Sequence, residues 1–134
     1  MLCRKINYYK DIDGGMPVFD FINKQQKKIV KNFFYVLRLL QTSKSLSPRY
    51  FKKVDKKNDI WELQLKDSRD IFNSDIYTLY FFFKNKNSII ITDAAKKMDV
   101  GFDRIDKMDN DLIEKAITKK RAYLKNKLTV ENND

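Results

Sequence analysis

The chain has 134 residues, 43% of them hydrophobic, which suffices for one compact core and leaves no room for a second large domain. Twenty-eight basic residues against eighteen acidic ones give a net charge of +10, which favours a polyanion or an acidic protein as partner over an acidic small molecule. The chain has no histidine and a single cysteine, Cys3, which excludes histidine acid-base catalysis, an ordinary zinc site and an internal disulfide.

The charge is uneven: through Ile60 there are 14 basic and 5 acidic residues, and beyond it 14 and 13. No stretch is apolar enough to span a bilayer or to form a secretory signal, so a cytoplasmic setting is expected, without a membrane partner. The aspartates at 11, 13, 99, 103, 106, 109 and 111 lack the ligand spacing of a calcium loop and suit turns and helix caps. No metal or small-molecule cofactor is expected.

Lys5 to Lys10 alternate loosely and run into Asp13-Gly14-Gly15, a strand closed by a turn. Pro17 suits a helix start, where its missing N–H is not needed. Ile22, Ile29, Phe33, Leu37 and Leu40 then recur at helical spacing among lysines, predicting an amphipathic helix or a hairpin broken near Lys24 to Lys27. Ile60 to Leu65 alternates, with Trp61, Leu63 and Leu65 toward a core and Glu62 and Gln64 away from it. Ile76 to Phe83 and Ser88 to Thr92 supply two more strands, joined by a tight turn at Lys84 to Asn87. After Lys97 the chain reads as irregular and acidic until Asp109 or Asn110 caps a last helix bearing Ile113, Ala116, Ile117 and Leu124. About 129–134 reads as a disordered tail.

The expected architecture is a single α+β domain: an N-terminal strand, a helical region or hairpin, a three-stranded antiparallel meander and a C-terminal helix, with the helices on one sheet face. In the second meander strand, Tyr77, Leu79, Phe81 and Phe83 share one face and Ile76, Thr78, Tyr80 and Phe82 the other. If the first set packs on the helices, Thr78 and Tyr80 look outward.

These pieces resemble, in order and over nearly the whole chain, the RelE/ParE superfamily of bacterial toxins, in its HigB-like, phage-associated branch. The likeness rests on the opening YYKDIDGGMPVFDFI, on SPRYFKKVDKKNDIWELQL, on YTLYFFF, on IIITDAAKK and on the helix LIEKAITKKRAYL. It implies a RelE-like small domain acting as a metal-free, ribosome-dependent endoribonuclease on mRNA, paired with a helix-turn-helix antitoxin (HigA-like). The expected catalytic residues are Lys96 and Lys97, which match the family's lysine pair, with Tyr80, placed to stack a base, and Arg69, which would fold back from the insertion-like segment KDSRDIFNSD as a substitute. Lys66, Lys84, Lys52, Lys53 and Arg121, with Thr78 and Gln64, would meet RNA. Thr78 and Gln64 stand where the family carries arginine, and neither supplies a fixed positive charge. Two other readings are open: a binding protein on the same fold whose catalytic face has decayed, and, less favoured by the WELQL and C-terminal matches, a ParE-like block of DNA gyrase.

Overall fold

The computed structural model describes residues 2–68, 74–98 and 102–132. The elements are β1 (Lys5–Tyr8), α1 (Pro17–Asn23), α2 (Lys27–Thr42), β2 (Phe51–Asp55), β3 (Ile60–Ser68), β4 (Ser74–Asn85), β5 (Ser88–Met98) and α3 (Phe102–Asn132). The class is α+β. The strands form one five-stranded sheet in the order β1-β5-β4-β3-β2. The expected three-stranded meander has four strands, β2 to β5, because Phe51–Asp55 adds an edge strand; β1 joins the other edge, parallel to β5.

Local signals act where the sequence places them. Pro17 opens α1, and the chain breaks before α2 at Gln26, whose extended backbone (φ −62, ψ 151) redirects it. Gly14 takes φ +85 and its N–H closes a turn on the Asp11 carbonyl at 2.9 Å, a conformation a side chain would strain. Asn85 and Ser88 pair across the β4–β5 turn, and the Asn85 side chain accepts from the Asn87 N–H at 2.8 Å.

The apolar stripe of α2, Ile29, Phe33, Val36, Leu37 and Leu40, is buried with Val18 and Ile22 of α1 against Leu63, Leu65, Tyr77, Leu79, Phe81, Ile89 and Ile91 of the sheet. Phe33 sits at its centre, fully buried and edge-on to Tyr77 at 5.9 Å. Arg4 ties β1 to the end of α2. Its guanidinium donates to the Leu40 and Ser43 carbonyls at 2.7 Å each, where the helix C-terminus favours a cation. Trp61 is half-buried at the rim of this core, stacked on Phe81 and edge-on to Phe83.

The expectation that all helices share one face is overturned. α3 lies on the opposite face, where Ala116 and Ile117 bury against Ile60, Tyr80, Phe82 and Ile90, and Tyr123 meets Phe82 edge-on at 5.9 Å. The physical reason is visible in YFFF: Tyr80 and Phe82 are as large and apolar as Leu79 and Phe81, so both faces of β4 require cover. α3 also begins at Phe102, not at a cap near Asp109, and its backbone stays helical through Asn132, into the stretch read as a tail. Among the described residues no helix is long and apolar enough to cross a membrane.

Phe33→Ala is expected to cost about 3–5 kcal/mol through lost burial and the cavity left behind. Urea denaturation measures it; Ile12→Ala, at a fully exposed position, should leave the midpoint unchanged.

Candidate functional site

Residues paired across neighbouring strands point to the same sheet face. Three such rows lie on the face toward α3: Lys52, Glu62, Tyr80 and Asp93; then Gln64, Thr78 and Ala95; then Lys66, Ile76 and Lys97. The fold thus gathers Tyr80, Lys97, Thr78, Gln64, Lys66 and Lys52 of the expected site residues on one surface, together with Glu62 and Asp93.

Thr78 and Tyr80 do not face solvent as expected. Both are fully buried, and Lys97 is only 2% exposed. The Lys97 Nζ donates to the Tyr80 Oη at 3.1 Å and forms an ion pair with the Asp109 carboxylate of α3. Tyr80 in turn donates to Asp109 Oδ1 at 3.0 Å. A lysine, a tyrosine and an aspartate therefore close a three-membered polar ring at the seam between sheet and helix. Glu62 adjoins it in the same row as Tyr80 and is 9% exposed. Further along the seam, Lys119 of α3 reaches Asp93 at 2.5 Å and the Thr92 carbonyl at 3.2 Å, and Lys120 reaches the Asn58 carbonyl at 2.5 Å. Two buried polar atoms here have no hydrogen-bond partner: the Thr78 hydroxyl and Asp93 Oδ2.

Burial sets the proton affinities. It raises the Glu62 carboxyl above the ordinary range, opposed by Lys97 and then Lys52. Burial lowers the Lys97 ammonium, opposed by Glu62. It raises the Tyr80 phenol well above its usual value, reinforced by the Glu62 and Asp93 charges. A carboxylate made more basic, a cation and a phenol that stays protonated are a proton acceptor, an electrostatic stabiliser and a proton donor. Such a set is costly to bury and adds little to stability that apolar residues would not.

The other expected residues separate. Lys96 and Lys97, adjacent on β5, point to opposite faces. Lys96 lies over the Tyr77 ring at 5.8 Å and 3.7 Å from Asp75, so the lysine pair does not converge on one ligand. Lys53 shares Trp61's face and pairs with Asp59 at 2.9 Å. Lys84 is half-buried beside the β4–β5 turn, and Arg121 is exposed on α3. Arg69 lies outside the described residues. Three participants went unnoticed in the sequence. Glu62 reads as an ordinary outward residue of an alternating strand, Asp109 as a helix cap, and Lys119 as a solvated lysine.

Residues 20–121 match the model of a family described as phage derived protein Gp49-like (DUF891). No curated protein matches the chain.

With its pKa raised, Glu62 favours the folded state when protonated. That contribution is complete below the ordinary value of 4.5 and is lost as pH rises through the raised one. Glu62→Gln, neutral throughout, is therefore expected to gain stability relative to the parent chain on going from about pH 4 to about pH 7. Urea midpoints of both proteins at the two pH values check it; a constant difference would show that Glu62 titrates normally.

Proposed function

The chain belongs to the Gp49-like family of phage-derived proteins, within the RelE/toxin-like superfamily, and we propose from this and from the seam under α3 that it is a HigB-like toxin that cuts messenger RNA at the ribosome. The observation that carries the reading is the burial of Lys97, Tyr80 and Glu62, three ionisable groups on the sheet face where the superfamily resemblance puts RNA, with the half-buried Asp109 of α3 set against the first two. Its genetic partner in this reading is a helix-turn-helix antitoxin.

Cleavage then needs no metal. The Glu62 carboxylate takes the proton of a ribose 2′-hydroxyl, and the 2′-oxygen attacks the adjacent phosphorus. Lys97 offsets the negative charge that builds on the phosphorane oxygens. The bond from phosphorus to the 5′-oxygen breaks, and that oxygen takes the Tyr80 proton, leaving a 2′,3′-cyclic phosphate and a 5′-hydroxyl. The Lys97 ammonium, hydrogen-bonded to Tyr80 Oη, is placed to reprotonate the phenolate. The exposed Lys66, Lys52 and Gln64, on the same face, supply the approach for the strand.

A second reading has its own support. Thr78 and Gln64 stand where the RelE/ParE resemblance would put arginine, and the Lys97 charge is already met by Asp109. A protein of this kind would arrest its target by binding alone.

Induction in a bacterial host, with transcript ends mapped, separates the two. Cleavage predicts growth arrest with shortened transcripts, and roughly 100-fold or greater loss of cutting in Glu62→Gln and in Tyr80→Phe, the scale of one general acid or base. Arrest with intact transcripts supports the binding protein; no arrest contradicts both.

A further inference from the structure

We propose that the Lys97 ammonium and the Tyr80 hydroxyl form a seat for an RNA phosphodiester, which the Asp109 carboxylate of α3 fills in the free protein, so that RNA and Asp109 compete for it. The inference rests on the reading of this face as an RNA surface, and adds to it both the contact and its control.

The occupant and its competitor are chemically alike. A carboxylate and a phosphodiester are each a singly charged anion with two exposed oxygens, and an ammonium beside a phenol recognises either through charge-assisted hydrogen bonds. Asp109 receives both donors at once: the Lys97 ion pair and the Tyr80 hydrogen bond at 3.0 Å. The two donors are themselves joined at 3.1 Å, so the seat is organised by the sheet and does not depend on the helix for its shape.

The hold on α3 lies mostly beyond Asp109. Among the described side chains of α3, the apolar contacts with the sheet face come from Leu112, Ile113, Ala116, Ile117 and Tyr123, and the other polar clamps from Lys119 and Lys120. Asp109 lies about one turn before this anchor. Lifting the helix at Asp109 therefore breaks the two bonds of the seat and leaves the anchor in place.

The closed arrangement also leaves a polar group unsatisfied. The Thr78 hydroxyl is on the same face, fully buried, and has no hydrogen-bond partner. It lies next to Tyr80's row, and its alternate neighbour Ile76 pairs with Lys97. A buried hydroxyl without a partner is unfavourable, so closure is not an optimised packing of this face, and an entering oxygen ligand or water would satisfy the donor. The acids of the sheet itself do not provide for Lys97 in this way: Asp93 is engaged by Lys119, and Glu62 acts on Lys97 through its charge while its own carboxyl is held up by burial.

The test uses the full chain in three forms: unaltered, Asp109→Asn, and Asp111→Asn, which removes the same charge from an exposed position of α3 two residues away. Each is titrated into a labelled 12-nucleotide single-stranded RNA at one fixed salt concentration, and binding is read by fluorescence anisotropy. Freeing the seat removes the penalty of a closed ground state, so Asp109→Asn should bind about 10-fold more tightly or better, and Asp111→Asn within about 2-fold of the unaltered chain. Equal effects of the two substitutions, or weaker binding by Asp109→Asn, would overturn the proposal while leaving the RNA reading intact. Binding by none of the three would overturn both. Circular dichroism checks that Asp109→Asn is folded; if it is not, Leu112→Ala, which loosens α3 without touching the seat, takes its place with the same expected tightening and the same contrary result.

Discussion

The ion pair between Lys97 and Asp109, braced by Tyr80, is the constraint on which this molecule turns. Lys97 has its ammonium almost wholly out of water, and such a charge is tolerable only with a partner of opposite sign and further hydrogen bonds. The sheet supplies the phenol and the helix supplies the carboxylate. That one contact therefore couples the position of α3 to the electrostatics of the sheet face beneath it. Around it the apolar contacts of Ala116, Ile117 and Tyr123 fix where the helix lies, while the polar ring fixes what the face can do.

The sheet has two cores of different character. Beneath α1 and α2 the packing is almost entirely apolar, built from the stripe of α2 and the odd-numbered residues from Tyr77 to Phe81. Beneath α3 the apolar patch of Ile60, Tyr80, Phe82 and Ile90 gives way to Glu62, Thr78, Asp93 and Lys97. The first arrangement is what stability alone would select. The second keeps charged groups where they are costly, and the proposed RNA-cutting function would give them a reason: it needs reactive side chains on a rigid sheet.

Much of the first core was legible in the sequence. Phe33, Leu37 and Leu40 recur at helical spacing, Pro17 marks a helix start, and the polar run from Lys84 to Asn87 marks the tight turn. The strand Phe51–Asp55 was not legible, because FKKVD has neither alternation nor a run of β-branched residues; its pairing with β3 is a tertiary effect. The second core was misread for a specific reason. Period-two alternation sorts β4 correctly into two faces, but it does not say which face is covered, and the bulk of Tyr80 and Phe82 was the sign that both are. Asp109 shows the limit of cap signals. An aspartate ahead of an apolar helical stripe fits an N-cap, and only the earlier start of α3 at Phe102 reveals it as a residue inside the helix and above Lys97. Glu62 and Lys119 were hidden for the same cause: their partners are far away in sequence.

In the proposed function the face under α3 meets RNA and α3 yields to it. Hydrogen–deuterium exchange of the unaltered protein, with and without a saturating single-stranded RNA, tests this most directly. The expected result is faster exchange of the α3 amides near Asp109 on RNA binding, together with slower exchange in β3 around Gln64 and Lys66. Protection confined to α1 and α2, with α3 unchanged, would contradict it.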